Sequence, residues 1–193
     1  NKKLNFSIEK NWFDYANKLK MNLFIITNLN ELKKKFKMIN PCGLIVTGGG
    51  NIYQKEKKFN NLIRDENEKQ IISFFKKKNL PILAICRGFQ LICFLNNIKL
   101  YKIYNHVKKN HNIYNLYNNK IFIFDKINTN SYHNFGVKSL SKNIEKIALH
   151  KDRTIEIAKI KNTKIYLFMF HPERDNNDQN KIDHLVKNIF NIK

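Results

Sequence analysis

Leu80-Pro81-Ile82-Leu83-Ala84-Ile85-Cys86-Arg87-Gly88-Phe89-Gln90-Leu91-Ile92-Cys93-Phe94-Leu95 changes its hydrophobic period in the middle. Up to Ile85 the apolar residues are unbroken, the pattern of a short strand buried on both faces. From Phe89 onward the spacing is helical. A cysteine at such a strand-to-helix turn is presented as a nucleophile, with its sulfur near a helix N-terminus. Far downstream stands Phe168-Met169-Phe170-His171-Pro172-Glu173, again an apolar run that ends in polar chemistry. It supplies an imidazole to act as base and a carboxylate to orient it. Cysteine followed by His-x-Glu is the chain order of a nucleophile, base and orienting acid.

Working outward, elements alternate. Asn11 to Lys20 has Trp12, Tyr15, Ala16 and Leu19 on one helical face. Asn22 to Thr27 reads as a strand, Leu29 to Lys37 as a short basic helix, and Leu44 to Thr47 as a buried strand closed by Gly48, Gly49 and Gly50. Glu66 to Lys78 reads as a helix, Ile82 to Ile85 as the strand before Cys86, and Gly88 to Asn96 as the helix after it. Such alternation predicts a parallel sheet covered by helices on both faces. The second half is β-rich, with strands expected at Lys120 to Phe124, Val137 to Leu140, Ile144 to Leu149, Thr154 to Ile160 and Lys164 to Met169. Asn110 to Asn119 reads as a polar loop, and Asp178 to Ile192 as a closing amphipathic helix. No repeat or linker divides the 193 residues, so one domain spanning 1–193 is expected.

The composition bounds the function. The formal charge is +21. Almost all of it is lysine spread along the chain, the arginines being Arg64, Arg87, Arg153 and Arg174, so no nucleic-acid partner is expected. The field still favours anionic small molecules. No apolar span suits a membrane helix, and no signal peptide is visible, so no membrane partner is expected. Three cysteines without metal spacing predict neither a disulfide framework nor a zinc site. Cys42 and Cys93 read as small buried hydrophobes, and a reducing cytoplasm is the expected compartment.

The Cys86 and His171-Pro172-Glu173 segments together resemble the class I glutamine amidotransferases, and within them the free-standing γ-glutamyl hydrolases. Cys42 to Ile52 resembles the family's strand and glycine-rich oxyanion loop. Asn130-Ser131-Tyr132-His133 resembles its substrate-side loop, and Thr154 to Ala158 with Lys164 to Phe168 the hairpin leading to the histidine. The resemblance runs from about Phe13 to the C-terminus. It implies a flavodoxin-like three-layer αβα sandwich, with a mostly parallel central sheet and additional antiparallel strands. It also implies a first strand that Asn1 to Glu9 do not supply, so that strand is expected upstream.

On this resemblance Cys86 is the nucleophile, His171 the base and Glu173 its orienter. The main-chain N–H groups of Gly49 and Arg87 form the oxyanion hole. Gly50, Asn51, Gln90, Ser131, Tyr132 and His133 hold substrate. Arg174, directly after the motif, is expected to meet a phosphorylated leaving group. No cofactor or metal is expected, and His106 and His111 read as surface or supporting residues. The loop at Thr47 to Ile52 and Arg87 after the cysteine favour a hydrolase of γ-glutamyl amides. Among its substrate types, γ-glutamyl-cytidine-diphosphate-amidate of bacterial capsule phosphoramidate synthesis is preferred over γ-glutamyl-aminobutyrate and polyglutamylated folate. The alternatives are a glutaminase subunit feeding ammonia to a partner synthetase, and an inactive binding protein on the same fold.

Overall fold

The computed structural model describes residues 7–192. Its elements in chain order are α1 (Lys10–Lys18), α2 (Leu29–Ile39), β1 (Leu44–Val46), α3 (Phe59–Lys77), β2 (Ile82–Ile85), α4 (Arg87–Leu95), β3 (Tyr101–Lys102), β4 (Val107–Asn115), β5 (Lys126–Tyr132), β6 (Phe135–Gly136), β7 (Ile144–His150), β8 (Ile155–Ile160), β9 (Ile165–Phe168) and α5 (Gln179–Phe190). Seven strands form one sheet in the order β1-β2-β9-β8-β7-β4-β5, and β3 pairs with β6 apart from it. β1, β2 and β9 run parallel. From β9 outward the pairings are antiparallel. This is the expected layered α/β architecture, with its parallel part confined to the three strands that carry the site.

The apolar runs explain the layering. In β2, Ile82 and Ala84 face one core while Leu83 and Ile85 face the other. β9 alternates in the same way, Ile165 and Leu167 against Tyr166 and Phe168. The first core is closed by Leu32 of α2, Ile71, Ile72 and Phe75 of α3, and Phe89, Leu91 and Ile92 of α4. The second is closed by Trp12 and Tyr15 of α1 and Leu19 just after it, with Ile182, Leu185, Val186 and Ile189 of α5. A strand buried on both faces has no polar side to show, which is why β2 and β9 read as unbroken apolar runs.

Several expected elements differ. Asn22 to Thr27 joins no strand ladder. Beside it a cleft of about 980 Å³ runs past Phe24, Ile26, Leu44 and Val46 to Gly48 and His171. The first strand, expected upstream of Asn1, lies outside the described residues, and Ser7 to Glu9 form no strand, as expected. Lys120 to Phe124 is not a strand either. Buried Phe122 is seated by local turns, its N–H donating to the Asn119 side chain at 3.0 Å. Val137 to Leu140 is irregular, the short pairing falling one step earlier at Phe135–Gly136. Most of Asn110 to Asn119 is not loop but strand β4, packed between β5 and β7. There the asparagines find partners across the ladder, Asn128 Nδ2 donating to Asn112 Oδ1 at 2.8 Å. Cys93 is fully buried as expected, whereas Cys42 is exposed, because it sits in the turn before β1 rather than on the strand.

α4 approaches the sheet closely. A Cβ on Gly88 would stand 2.5 Å from the Val46 carbonyl oxygen, inside any tolerable contact. Gly88→Ala is therefore expected to destabilise the fold by about 1–3 kcal/mol through overpacking. Urea unfolding checks this, and an unchanged midpoint would refute the close approach.

Candidate active site

The parallel strands β1, β2 and β9 bring their C-terminal ends together, where ligand sites of open α/β sheets form. Cys86 follows β2. Its N–H donates to the Phe168 carbonyl at 2.8 Å, and its φ is +48° with ψ −97°. A non-glycine residue held there is strained and fixed by its surroundings. The turn aims the side chain across the sheet top while α4 starts at the next residue.

β9 delivers the partner. His171 Nδ1 lies 2.7 Å from Glu173 Oε1, both groups buried. That bond fixes the tautomer, leaving Nε2 to face outward. Gly48 shows where it faces: a Cβ there would lie 2.6 Å from His171 Cε1, 3.3 Å from Nε2 and 3.4 Å from Cys86 Cβ. The glycine loop, the thiol-bearing residue and the imidazole thus converge on one point. Gly49 and Gly50 continue the loop with φ of +92° and +69°.

The site is held by residues that have no catalytic signature in the sequence. Asn130 grips the His171 backbone from both sides, its Oδ1 accepting from His171 N at 2.9 Å and its Nδ2 donating to His171 O at 2.7 Å. Asn176 in turn accepts from Asn130 N at 2.7 Å and donates to His171 O at 3.1 Å. On the other side, Arg64 donates to the carbonyls of Thr47, Gly48 and Gly49 at 3.0, 2.9 and 2.8 Å. Its Nε also binds Glu68 Oε1 at 2.6 Å. Arg87, 1% exposed, pairs with Asp65 and with the other oxygen of Glu68. Burial pushes the Asp65 carboxyl up and the Arg87 guanidinium down from their ordinary values. The only sequence cue for this network is the spacing of Arg64, Asp65 and Glu68, which share one side of a helix.

The expected substrate residues divide. Tyr132 is partly exposed, and its ring meets the His171 ring edge-to-face at 5.9 Å. Gln90 is buried, its Nε2 donating to Phe135 O at 3.2 Å. Asn51 Nδ2 points to Glu56 at 3.4 Å, while its carbonyl accepts from Arg87. The Ser131 hydroxyl is spent on His106 O at 2.7 Å, and His133 lies buried among other histidines. Strand alternation separates Ser131 and His133 from Tyr132. Arg174 stacks on the Tyr132 ring at 4.5 Å and binds Glu9 at 2.7 Å. His106 and His111 are buried rather than on the surface.

Residues 4–190 match the glutamine amidotransferase class-I family, and the chain belongs to that family. It is 33% identical over 133 residues to γ-glutamyl-CDP-amidate hydrolase of Campylobacter jejuni, covering 69% of this chain and 62% of that protein. It is 30% identical to the carbamoyl phosphate synthase small chain of Wigglesworthia glossinidia brevipalpis, covering 96% of this chain and 50% of that one. Among solved structures, a protein assigned as a GMP synthase component, from Thermoplasma acidophilum, superposes with a TM-score of 0.73 at 18% identity, over 95% of this chain and 86% of that one. A glutamine amidotransferase from Thermotoga maritima superposes with a TM-score of 0.64 at 16% identity, over 77% and 78%. The chain thus spans between half and two thirds of these curated relatives' lengths. Among the described residues, no helix is long and apolar enough to cross a membrane.

The thiol's resting state follows from its surroundings. Burial first, then the negative charge of Glu173, pushes Cys86 up to about 12, against a smaller opposing effect of the Arg87 N–H. A raised pKa means that the thiolate is absent at neutral pH and grows in only as pH climbs. Iodoacetamide alkylation of Cys86 in the substrate-free protein is therefore expected to rise about tenfold per pH unit from 7 to 9 without a plateau. A plateau below pH 8, read by mass spectrometry, would show a thiolate already formed.

Proposed function

We propose that this chain is a cysteine hydrolase of γ-glutamyl amide bonds. The observation that carries the reading is the buried His171–Glu173 pair brought against Gly48 beside Cys86. Glu173 holds the imidazole with Nε2 free to take a proton. As substrate enters, His171 takes the Cys86 proton and the sulfur attacks the γ-carbonyl carbon. The carbonyl electrons move to oxygen, which the N–H groups of Gly49 and Arg87 are proposed to stabilise. The intermediate collapses, the C–N bond breaks, and His171 hands its proton to the leaving nitrogen. Water then gives a proton to His171 and attacks the γ-glutamyl thioester, releasing glutamate and restoring the thiol. Gly50, Asn51, Gln90, Tyr132 and the segment through Ser131 and His133 would frame the glutamyl part. No cofactor enters this scheme, and a cytoplasmic setting suits a reactive thiol.

For the leaving group we favour γ-glutamyl-CDP-amidate, giving glutamate and CDP-amidate for a capsule phosphoramidate pathway. The likeness to the Campylobacter jejuni hydrolase and the +21 charge support it. A second reading, a glutaminase that passes ammonia to a separate synthetase, is favoured by the match of 96% of the chain to a carbamoyl phosphate synthase small chain.

Glutamate release from glutamine, γ-glutamyl-aminobutyrate and γ-glutamyl-CDP-amidate separates the readings. The expected outcome is turnover by the isolated protein, highest on the nucleotide, with Cys86→Ala and His171→Ala reducing kcat by at least about 1000-fold while circular dichroism is unchanged. Full activity in either variant would sink the mechanism. Turnover of glutamine alone, rising only when a synthetase is added, would establish the second reading.

Arg174 is already paired with half-exposed Glu9, a partner that a diphosphate can displace. Arg174→Ala is expected to raise KM for the nucleotide about tenfold, the loss of one charge-assisted hydrogen bond, and to leave γ-glutamyl-aminobutyrate unaffected. An equal effect on both substrates would remove the phosphate role.

A further inference from the structure

Four histidines and a glutamate meet among β4, β5, β7 and β8: His106 just before β4, His111 within it, His133 just after β5, His150 at the end of β7 and Glu156 near the start of β8. Glu156 of β8 is fully buried, and neither of its carboxylate oxygens has a hydrogen-bond partner. His106 Nδ1 stands 3.7 Å from Oε1. His111 Nε2 and His133 Nε2 stand 3.6 and 3.7 Å from Oε2. His150 stacks on His111, with ring centroids 4.3 Å apart.

These separations are too long for hydrogen bonds. They suit atoms that share a cation: two donors bound to one tetrahedral Zn²⁺ at about 2.1 Å stand about 3.4 Å apart. One ligand atom from each of His106, His133 and Glu156 lies within 4.8 Å of the others. The same holds for His106, His111 and His150.

The outer nitrogens settle which atoms face inward. His106 Nε2 lies 2.9 Å from Asp152 Oδ2, so it carries the proton and Nδ1 turns a lone pair toward Glu156. His133 Nδ1 lies 3.2 Å from the Phe135 carbonyl, so its Nε2 does likewise. His150 Nδ1 donates to Asn112 O at 2.9 Å. A ring whose far N–H is fixed by a carboxylate or carbonyl is the arrangement of metal-ligating histidines. A buried carboxylate with no hydrogen-bond partner calls for a compensating positive charge beside it, and the spacing of the inward-facing atoms suits a bound cation.

We infer that His106, His133 and Glu156 form a binding site for a divalent transition ion of the zinc class. Two imidazoles and one carboxylate are a donor set that such an ion accepts with a fourth position left open, and the absence of thiolate separates the site from a structural cysteine centre. Its role is positioning. The Phe135 carbonyl accepts from both His133 Nδ1 and Gln90 Nε2, so an ion that fixes His133 also fixes the contact to α4, which opens directly after Cys86. The inference is independent of the substrate, and its test reads metal rather than turnover.

The test uses the chelator-treated Cys42→Ser/Cys86→Ser chain, so that neither the exposed nor the nucleophilic thiol competes. Inorganic Zn²⁺ is titrated against a chromophoric chelator at neutral pH, and Co²⁺ is followed by its d–d absorption. The expected result is one ion per chain, tetrahedral Co²⁺ bands, and a Tm raised by about 5–10 °C at a Zn²⁺ concentration 100 times Kd. Glu156→Gln and His133→Gln should weaken binding at least tenfold, and Asp152→Asn about tenfold through loss of the supporting bond. Asp152 has a surface-accessible side chain, so its variant tests the site even where the buried variants fail to fold. No stoichiometric binding by the folded protein, or binding that Asp152→Asn leaves unchanged, would overturn the site.

Discussion

The main-chain reversal at Cys86 is the constraint on which the rest depends. A strand buried on both faces cannot end in a loose loop, because its neighbours fix its register, Ile82 to Ile85 against Ile165 to Phe168 on one side and Leu44 to Val46 against Ile82 to Ala84 on the other. Cys86 therefore leaves the sheet at a set point, with its N–H tied to Phe168 O and a left-handed φ. α4 must then pass over β1, and only Gly88 allows it to do so. The strain at one residue is sustained by two ladders and one close contact. This is the situation in which backbone strain survives selection at functional sites.

The charges around α4 follow from that geometry. Arg87 comes directly after the turn and is carried into the interior, where an unpaired guanidinium would be prohibitive. Asp65 and Glu68 of α3 neutralise it, and Glu68 reaches on to Arg64, whose remaining donors hold the carbonyls of Thr47 to Gly49. With those carbonyls turned toward Arg64, the loop is fixed relative to α4. Breaking one partner of such a buried set costs about 3–5 kcal/mol. The network therefore supports folding and the site together, and the two cannot be separated by a single substitution within it.

The two halves of the chain are unequally legible. β2, β9 and the turn at Cys86 are readable because burial on both faces leaves one dominant signal, unbroken apolarity followed by a change of period. The pairing of His171 with Glu173 is readable because proline between them leaves little choice of turn. β4 is not, since its asparagines carry turn propensity and are satisfied only by neighbours distant in sequence. Asn22 to Thr27 fails in the opposite sense: its residues favour a strand, but a strand needs a ladder partner, and the described residues provide none for it. Asn130 and Asn176 are invisible as supports of His171, because an amide that grips a backbone has no sequence signature.

The antiparallel half of the sheet is more than an extension of the parallel one. Ser131 and His133 flank Tyr132 on β5 and the residue beyond it, so the alternation that exposes Tyr132 beside His171 sends Ser131 and His133 inward. There Ser131 binds the His106 carbonyl and His133 faces Glu156. Met169, two residues before His171, donates its N–H to the Glu156 carbonyl. The histidine cluster and the thiol site are thus opposite sides of the same few residues. Charge placed on Glu156 raises the Cys86 pKa, although burial and Glu173 dominate it.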